Sequence, residues 1–435
     1  MKTIYSIAFV LLLANPAAAY HNFFFRSADD ITSGTLDSAR LNPSSVTLQG
    51  NSINISTVAS GHQALKDNVD ISTALLTIRA NSAEKVRFFD VTICTLGVVG
   101  CDIASNTEDG WNAALNLIQA RGLTDSTTAF GTIRLVGWPF DYWGATVPRG
   151  VTMQGVSGSS VTFMPHVSTG TIITNYGTIQ DITVDLSSAV GYTGHKFVLS
   201  TGSVTNNLFI KNGIPSRGGN INLILVSRSS NVTVNDLKLD RYSGTLDAIG
   251  VGTNAPIYIE GSTAVYFNRP VFMKLSRAQA TDDTSGFGIL NTSQLVIRDG
   301  IFQQIGGIFI QLDSNVRNAV IERNRFHLTA AGHAAIGYLG FRGNTSALSI
   351  ASAAVTSNQF FHHPGASNIP IIGMVDETAD SHGTWIAHNQ FINLSGGTPT
   401  GVSIEAGHTN TFLLYNRYLG MGQGADSGTG TRRIE

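Results

Sequence analysis

The sequence predicts an all-β chain, a right-handed, single-stranded parallel β-helix with a short N-terminal capping helix. Three observations carry this expectation. They are a phrase repeated through the last two thirds of the chain, a composition in which Gly and small polar residues replace charges, and one amphipathic segment placed where a stack of coils would begin.

The phrase is clearest in VIERNRF, VTSNQFF, WIAHNQF and FLLYNRY: an aliphatic residue, Asn three positions on, and an aromatic two positions further. Traced backwards, the frame starts at Ile179, Val204, Val232, Val265, Ile297, Ile321, Val355, Ile386 and Leu413. Its middle position reads Ile182, Asn207, Asn235, Asn268, Gly300, Asn324, Asn358, Asn389 and Asn416. Its closing position reads Val184, Phe209, Leu237, Pro270, Phe302, Phe326, Phe360, Phe391 and Tyr418. The mean period is about 29 residues, in the range where a repeat marks a solenoid. Asn and Gly enter the left-handed backbone region at least cost, so the frame predicts a sharp corner at each Asn. Asn amides would then bond up the stack while the apolar positions pile into inward columns.

Composition fits an exported protein. Met1 to Ala19 has a lone Lys2, an apolar run from Ile4 to Ala14 and small residues before Tyr20, the pattern of a secretory signal peptide cleaved near Ala19. No later stretch has the roughly 18 uninterrupted apolar residues of a membrane span. A formal net charge of −2 argues against nucleic acid as a partner. Cys94 and Cys101 are expected to form a local disulfide, as exported chains permit. Residues 20–90 differ in texture from the rest of the chain and read as an extended attachment region; DITSGTLDSARL and SSVTLQGN resemble stalk segments of phage tail fibres, which implies a homotrimer. Residues 91–420 are assigned to the β-helix and 421–435 to a Gly-rich tail with no obvious capping element.

After the Cys loop, TEDGWNAALNLIQARG predicts a helix with Thr107 as cap, Glu108 and Asp109 in its first turn, and one face formed by Trp111, Ala114, Leu115 and Ile118. Such a helix would cover the open end of the coil stack. The strand-like runs GTIRL and VPRGVTMQG come next. Acidic loop, helix and these two runs, taken in that order and together with the Asn frame, resemble the opening of the pectate-lyase-like β-helix superfamily, and the likeness runs from Asp102 to Tyr418. That resemblance implies a polysaccharide as partner. It also implies one of several roles, namely lyase, polygalacturonase-type hydrolase or tailspike-like binder.

Candidate chemistry sits on the loops that follow the closing position of the frame, where function is expected on a rigid scaffold. Asp240, Arg241, Tyr242 and Asp247 precede one strand, Asp282 and Asp283 the next, and His333 a third. Coils spaced about 4.8 Å apart would place carboxylates of neighbouring coils roughly 5 to 10 Å from each other, a range that spans both retaining and inverting glycosidases. TDDTSGFGI and GHAAIGYLG resemble polygalacturonase-type motifs. By that resemblance Asp282 and Asp283 would supply acid and base, with Asp247 as partner and His333 and Arg342 in support. A lyase would instead use an Arg or Lys base and Ca²⁺. The acidic residue of the pectate-lyase metal segment corresponds here to Tyr266, so the metal ligands stay undefined. The loop with Asp376, Glu377, Asp380 and His382 is the remaining candidate for substrate or cation. His362 and His363 beside Pro364 read as surface loop, Trp138, Phe140, Tyr142 and Trp143 as core at the capping end or a sugar-stacking platform, with core ahead, and Asp90, Arg134 and Arg149 as solvated. The sequence therefore supports an exported enzyme acting on a surface or cell-wall polysaccharide, or a non-catalytic glycan-binding adhesin.

Overall fold

The structure is a computed structural model. It describes residues 47–48, 51–52, 89–97, 100–120, 131–137, 139–141, 144–156, 162–163, 170–188, 194–213, 222–244, 255–277, 285–305, 308–312, 315–329, 336–338, 350–366, 368, 370–374, 381–406 and 408–435. The chain divides into two units, Met1–Phe88 and Phe89–Glu435. In the first, Thr47–Leu48 pairs antiparallel with Asn51–Ser52. The second is a parallel β-helix in which each strand pairs with the strand one coil earlier and the strand one coil later.

Every full coil contributes three faces. The first face stacks ten strands, from Ala145–Val147 through Ile224–Ser227 and Ile308–Leu312 to Val402–Ile404. The second runs from Phe89–Cys94 and Gly131–Val136 through Thr263–Asn268 and Ala354–Thr356 to Arg432–Ile434. The third runs from Thr162–Phe163 through Lys238–Gly244 and Gln359–His362 to Arg417–Leu419. Alternate residues of each strand point inward, which is why buried and partly exposed positions alternate along Gly131–Val136, Val151–Gly155 and Ile224–Ser227.

One inward column on the second face can be followed from end to end. It reads Val91, Ile133, Met153, Ile179, Thr205, Val234, Phe267, Ile297, Ile321, Val355, Ile386, Leu413 and Arg433. Its third-face counterpart reads Phe163, Val184, Ile210, Leu239, Phe272, Phe302, Phe326, Phe360, Phe391 and Tyr418. From Phe302 to Tyr418 its rings stack 4.8 to 4.9 Å apart and nearly parallel.

The repeat frame is in register with these columns at Ile179 and Val184 and from Ile297 onward, and slips in the three repeats between. Val232 and Val265 are inward but two residues from the second-face column, and Leu237 and Pro270 are likewise two residues from the aromatic column. Val204 and Phe209 are off by one; Thr205 and Ile210 are the inward residues, and Phe209 lies outside under the Lys238 ammonium.

The corner differs from expectation in a second way. Of the frame's Asn residues only Asn207 has a positive φ; elsewhere a neighbour takes the left-handed conformation. Asp181, Asn207, Asp236, Arg269, Asp299, Arg323, Ser357, His388 and Tyr415 form this strained outer edge. Part of it is bound by bidentate ion pairs, Arg269 to Asp236 and Arg323 to Asp299. The Asn residues themselves form two ladders. One precedes the corner: Asn235 donates to Asn206, Asn268 to Asn235, and Arg298 to Asn268. The other follows it, inside the core. The Asn324 Oδ1 accepts from the Gly300 amide, and the Oδ1 atoms of Asn358, Asn389 and Asn416 accept in the same way from the backbone amides of Asn324, Asn358 and Asn389 one coil back. Each of these four amides also donates to a carbonyl one coil back, those of Ile297, Ile321, Val355 and Ile386.

A helix covers the N-terminal end of the coil stack. Helix α1 (Glu108–Ala120) follows Thr107, whose carbonyl accepts from the Gly110 amide. It buries Trp111, Ala114 and Ile118, and the Trp111 indole donates to the Thr146 carbonyl. The Cys94–Cys101 disulfide closes the loop beside it. At the other end the Gly-rich tail is a further partial coil. Gly422, Asp426 and Thr429 bridge to Thr400, Ile404 and Thr409, and Arg432–Ile434 pairs with Phe412–Leu414. Its inward position holds Arg433, tied to Asp426 and Gln423, and Gln423 in turn donates to Glu435. Burial beneath this polar lid pushes the Tyr418 hydroxyl up to about 12.

Candidate functional site

Of the sequence-predicted catalytic residues, Asp247, Asp282, Asp283, His333 and Arg342 lie outside the described residues, as do Glu377 of the binding set, the acids Asp376 and Asp380 and the aromatics Trp138, Tyr142 and Trp143. Asp247, Asp282–Asp283 and His333 follow the third-face strands Lys238–Gly244, Val271–Arg277 and Arg325–Leu328, of which the first two stack in register, Tyr242 on Leu275, whereas Arg342 and the acids Asp376, Glu377 and Asp380 follow the first-face strands Ile336–Tyr338 and Ile372–Met374. Asp240 and Arg241 are described; Tyr242 is placed by its backbone in Lys238–Gly244. His382 is exposed, its Nδ1 2.5 Å from the Thr409 hydroxyl one coil on.

Asp240 belongs to an outward charge column that the sequence pattern did not reveal. Asp185, Lys211 and Asp240 occupy successive rungs. The Lys211 ammonium is 3.1 Å from Asp185, and the Asn212 amide donates to the same carboxylate at 2.8 Å. Partial burial raises the Asp185 pKa, but bonds from Asn212, Ser187 and Lys211 outweigh it and hold the group at about 2. Asp240 is only 19% exposed; its Oδ2 is 3.9 Å from Arg241, and its buried Oδ1 has no hydrogen-bond partner among the described residues. No sequence frame could find the column, because its members lie 26 and 29 residues apart and become neighbours only through the register.

The histidines correct the surface-loop expectation. His362 ends the strand Gln359–His362, is buried, and has its Nδ1 3.0 Å from the Ser395 hydroxyl. His363 is half-buried, with its Nε2 3.1 Å from the His327 Nδ1, and the His327 ring stacks on Phe361. Burial lowers the His327 pKa, and His363 and Arg325 lower it further; burial lowers His195 as well. The fold thus favours the neutral rings. Their stability contribution is complete above about 6.5 and is lost as pH falls through 6.5 toward the lower folded values. The thermal midpoint is expected to be flat between pH 7 and 8 and to fall toward pH 5 (about two units below the plateau). In His327→Gln the fall is expected to shrink, leaving the His195 part; a profile flat to pH 5 would contradict this.

The largest outward aromatic group lies in the C-terminal coils. Trp385 stacks on Phe412 at 4.6 Å and 19°, with the Arg432 guanidinium 5.9 Å beyond. At the next corner His388 stacks on Tyr415 at 5.3 Å and 15°. Trp385 is 45% exposed and Tyr415 55%. One rung back, Trp385 is in register with Ala354 and Ala387 with Thr356, and the Ser357 amide bonds the Ala387 carbonyl. The rung before that holds Glu322 and Arg323, 2.9 Å apart. Small residues therefore stand N-terminal to both ring faces, with the charged pair behind Thr356 and Ser357 and Val320 behind Ala354, leaving a shelf one rung high. The shelf is floored by Ala354, Thr356 and Ser357 and walled on its C-terminal side by Trp385 and His388.

A parallel β-helix with an outward charge column and an aromatic shelf is the class of protein this geometry defines. No family model and no curated protein match the chain. Among solved structures it is similar to the A-module of the Azotobacter vinelandii mannuronan C-5 epimerase AlgE4 at 12% identity and a TM-score of 0.42, covering 75% of this chain and 96% of that one. It is similar to the Streptococcus pneumoniae surface adhesin PfbA at 11% and 0.36, covering 66% and 85%. It is also similar to the tailspike of the E. coli bacteriophage HK620 at 12% and 0.37, covering 74% and 61%. The fold assignment rests on the strand ladder of this chain.

Proposed function

We propose that the protein is an exported polysaccharide-binding β-helix that holds its glycan on the Trp385–His388 shelf. The observation that carries this reading is the Trp385 ring, nearly half exposed, with one face stacked on Phe412 and the other turned over Ala354. An open indole face matches the C–H face of a pyranose. The hydroxyls of Thr356 and Ser357 and the Glu322–Arg323 pair supply donors and acceptors for the sugar rim. The disulfide, stable in an oxidising compartment, supports export.

Affinity electrophoresis of the mature protein through gels containing plant, algal and bacterial polysaccharides tests this. At least one gel is expected to retard it, and Trp385→Ala to weaken that binding tenfold or more, about 1.4 kcal/mol, without moving the thermal midpoint. Retardation unchanged in Trp385→Ala would remove the shelf from the account.

A second reading, cleavage of the bound chain, is favoured by Asp240, whose buried Oδ1 lacks a donor among the described residues at the edge from which the Asp247 and Asp282–Asp283 loops depart. Under this reading those loop carboxylates, with His333 and Arg342, act on a substrate also held by Arg241. New reducing ends would mark hydrolysis, and absorbance of unsaturated ends would mark a Ca²⁺-assisted lyase. Neither product from any retained polysaccharide leaves binding as the function.

A further inference from the structure

Resting on that reading, we infer that the shelf holds its glycan running around the coil, across the helix axis, and selects chains joined by equatorial bonds. The two free ring faces set the direction. Trp385 and His388 each lie nearly parallel to a ring of the next coil, so their C-terminal faces are covered. Their other faces turn toward the rung of Ala354 and Ser357. A pyranose resting on either face lies parallel to it.

Travel along the axis is then blocked toward the C-terminus in both columns and toward the N-terminus in the His388 column. Phe412 and Tyr415 fill the next positions of the two columns toward the C-terminus. Toward the N-terminus the His388 column meets Arg323, held by Glu322 and by both oxygens of Asp299, while the Trp385 column passes over Ala354 to Val320. The open direction runs along the strand, from Trp385 to the corner at His388. These residues are three apart in a nearly extended segment, a span of at most about 10 Å at 3.3 Å per residue, which two sugar units of an extended chain cover. Rings n and n+2 would therefore rest on Trp385 and His388, with ring n+1 above Thr356.

Linkage geometry follows from the same arrangement. Equatorial bonds leave a pyranose in the plane of its ring, so an equatorially linked chain keeps successive rings in the plane of the shelf. An axial bond leaves along the ring normal and would drive the next unit into Trp385 or, in the His388 column, against Arg323.

Calorimetric titration of the whole mature protein with cello- and chito-oligosaccharides of two to four units, and with the α-1,4-linked malto series, tests the inference. The trisaccharide of an equatorial series is expected to bind at least tenfold tighter than the disaccharide. His388→Ala should abolish that gain while leaving the disaccharide unaffected, Trp385→Ala should remove both, and the malto series should bind at least tenfold more weakly. A smooth length dependence, a gain that survives His388→Ala, equal binding of the malto series, or no binding of either equatorial series would overturn the inference. In any of those cases Trp385-dependent retardation in polysaccharide gels would still leave the binding reading standing, whereas loss of that retardation removes both.

Discussion

Replacing Asn358 by Ala is expected to cost about 2 to 4 kcal/mol. The Asn358 side chain is fully buried. Its Oδ1 accepts from the Asn324 amide and side chain, and its Nδ2 donates to the Ile321 carbonyl and to Asn389. Truncation strands donors on one coil and acceptors on two, all out of reach of water. Asn358→Asp should be worse still, because a carboxylate there would face the Ile321 carbonyl and the Asn389 oxygen with no donor of its own. Asn207, identical in the sequence frame, is exposed, and its side-chain amide donates to the Asp181 carboxylate. Asn207→Gly preserves the positive φ and should stay within about 0.5 kcal/mol of the parent. Denaturant titration of the variants checks the ranking; equal costs at the two sites would refute the ladder assignment.

Phe360→Ala is expected to cost about 3 to 5 kcal/mol. The ring is fully buried between Phe326 and Phe391, 4.9 Å from each and nearly parallel to both. Its removal leaves a cavity that rigid neighbouring coils cannot collapse. Because a solenoid rung contacts mainly its neighbours, the damage should be local. Hydrogen exchange should accelerate in the strands around Phe326, Phe360 and Phe391 before it does near Ile133. The adjacent Phe361 lies outside against His327, so Phe361→Ala should cost about 1 kcal/mol or less. Equal effects at Phe360 and Phe361 would mean that the inward and outward assignments are wrong.

These contrasts separate what is legible in the amino-acid order from what is not. The coil architecture, the disulfide, the capping helix and the last five repeats follow from local chemistry: alternation, Asn at corners, and an aromatic at a fixed offset. Register is less visible in the earlier repeats. A slip of two residues keeps every side chain on its own face, so Val232 and Val234 satisfy the alternation equally, and only pairing with Val265 and Phe267 separates their columns. The expectation that Asn itself bends the corner failed for another reason. Inside the core, the value of Asn lies in an amide that both donates and accepts. Its neighbour can carry the strained φ while pointing a charged or small side chain at solvent, as Arg323, Ser357 and His388 do.

The candidate sites divide the same way. Asp240 is visible as a polar residue at a strand end, but its relation to Lys211 and Asp185 is a product of coil length. The shelf escapes notice because its defining feature is the smallness of Ala354 and Ser357, and small residues look like filler until a ring is found on the next rung. The C-terminal lid is hidden because Gly-rich sequence reads as loop.

That lid bears on how molecules meet. A β-helix whose last rung exposed apolar residues and an unpaired strand edge would template the addition of another chain, as amyloid ends do. Here any rung added beyond Arg432–Ile434 would have to strip water from Arg433, Asp426 and Glu435 and bury them against whatever it brought. A strand packed on that rung would therefore meet charged groups rather than an apolar surface.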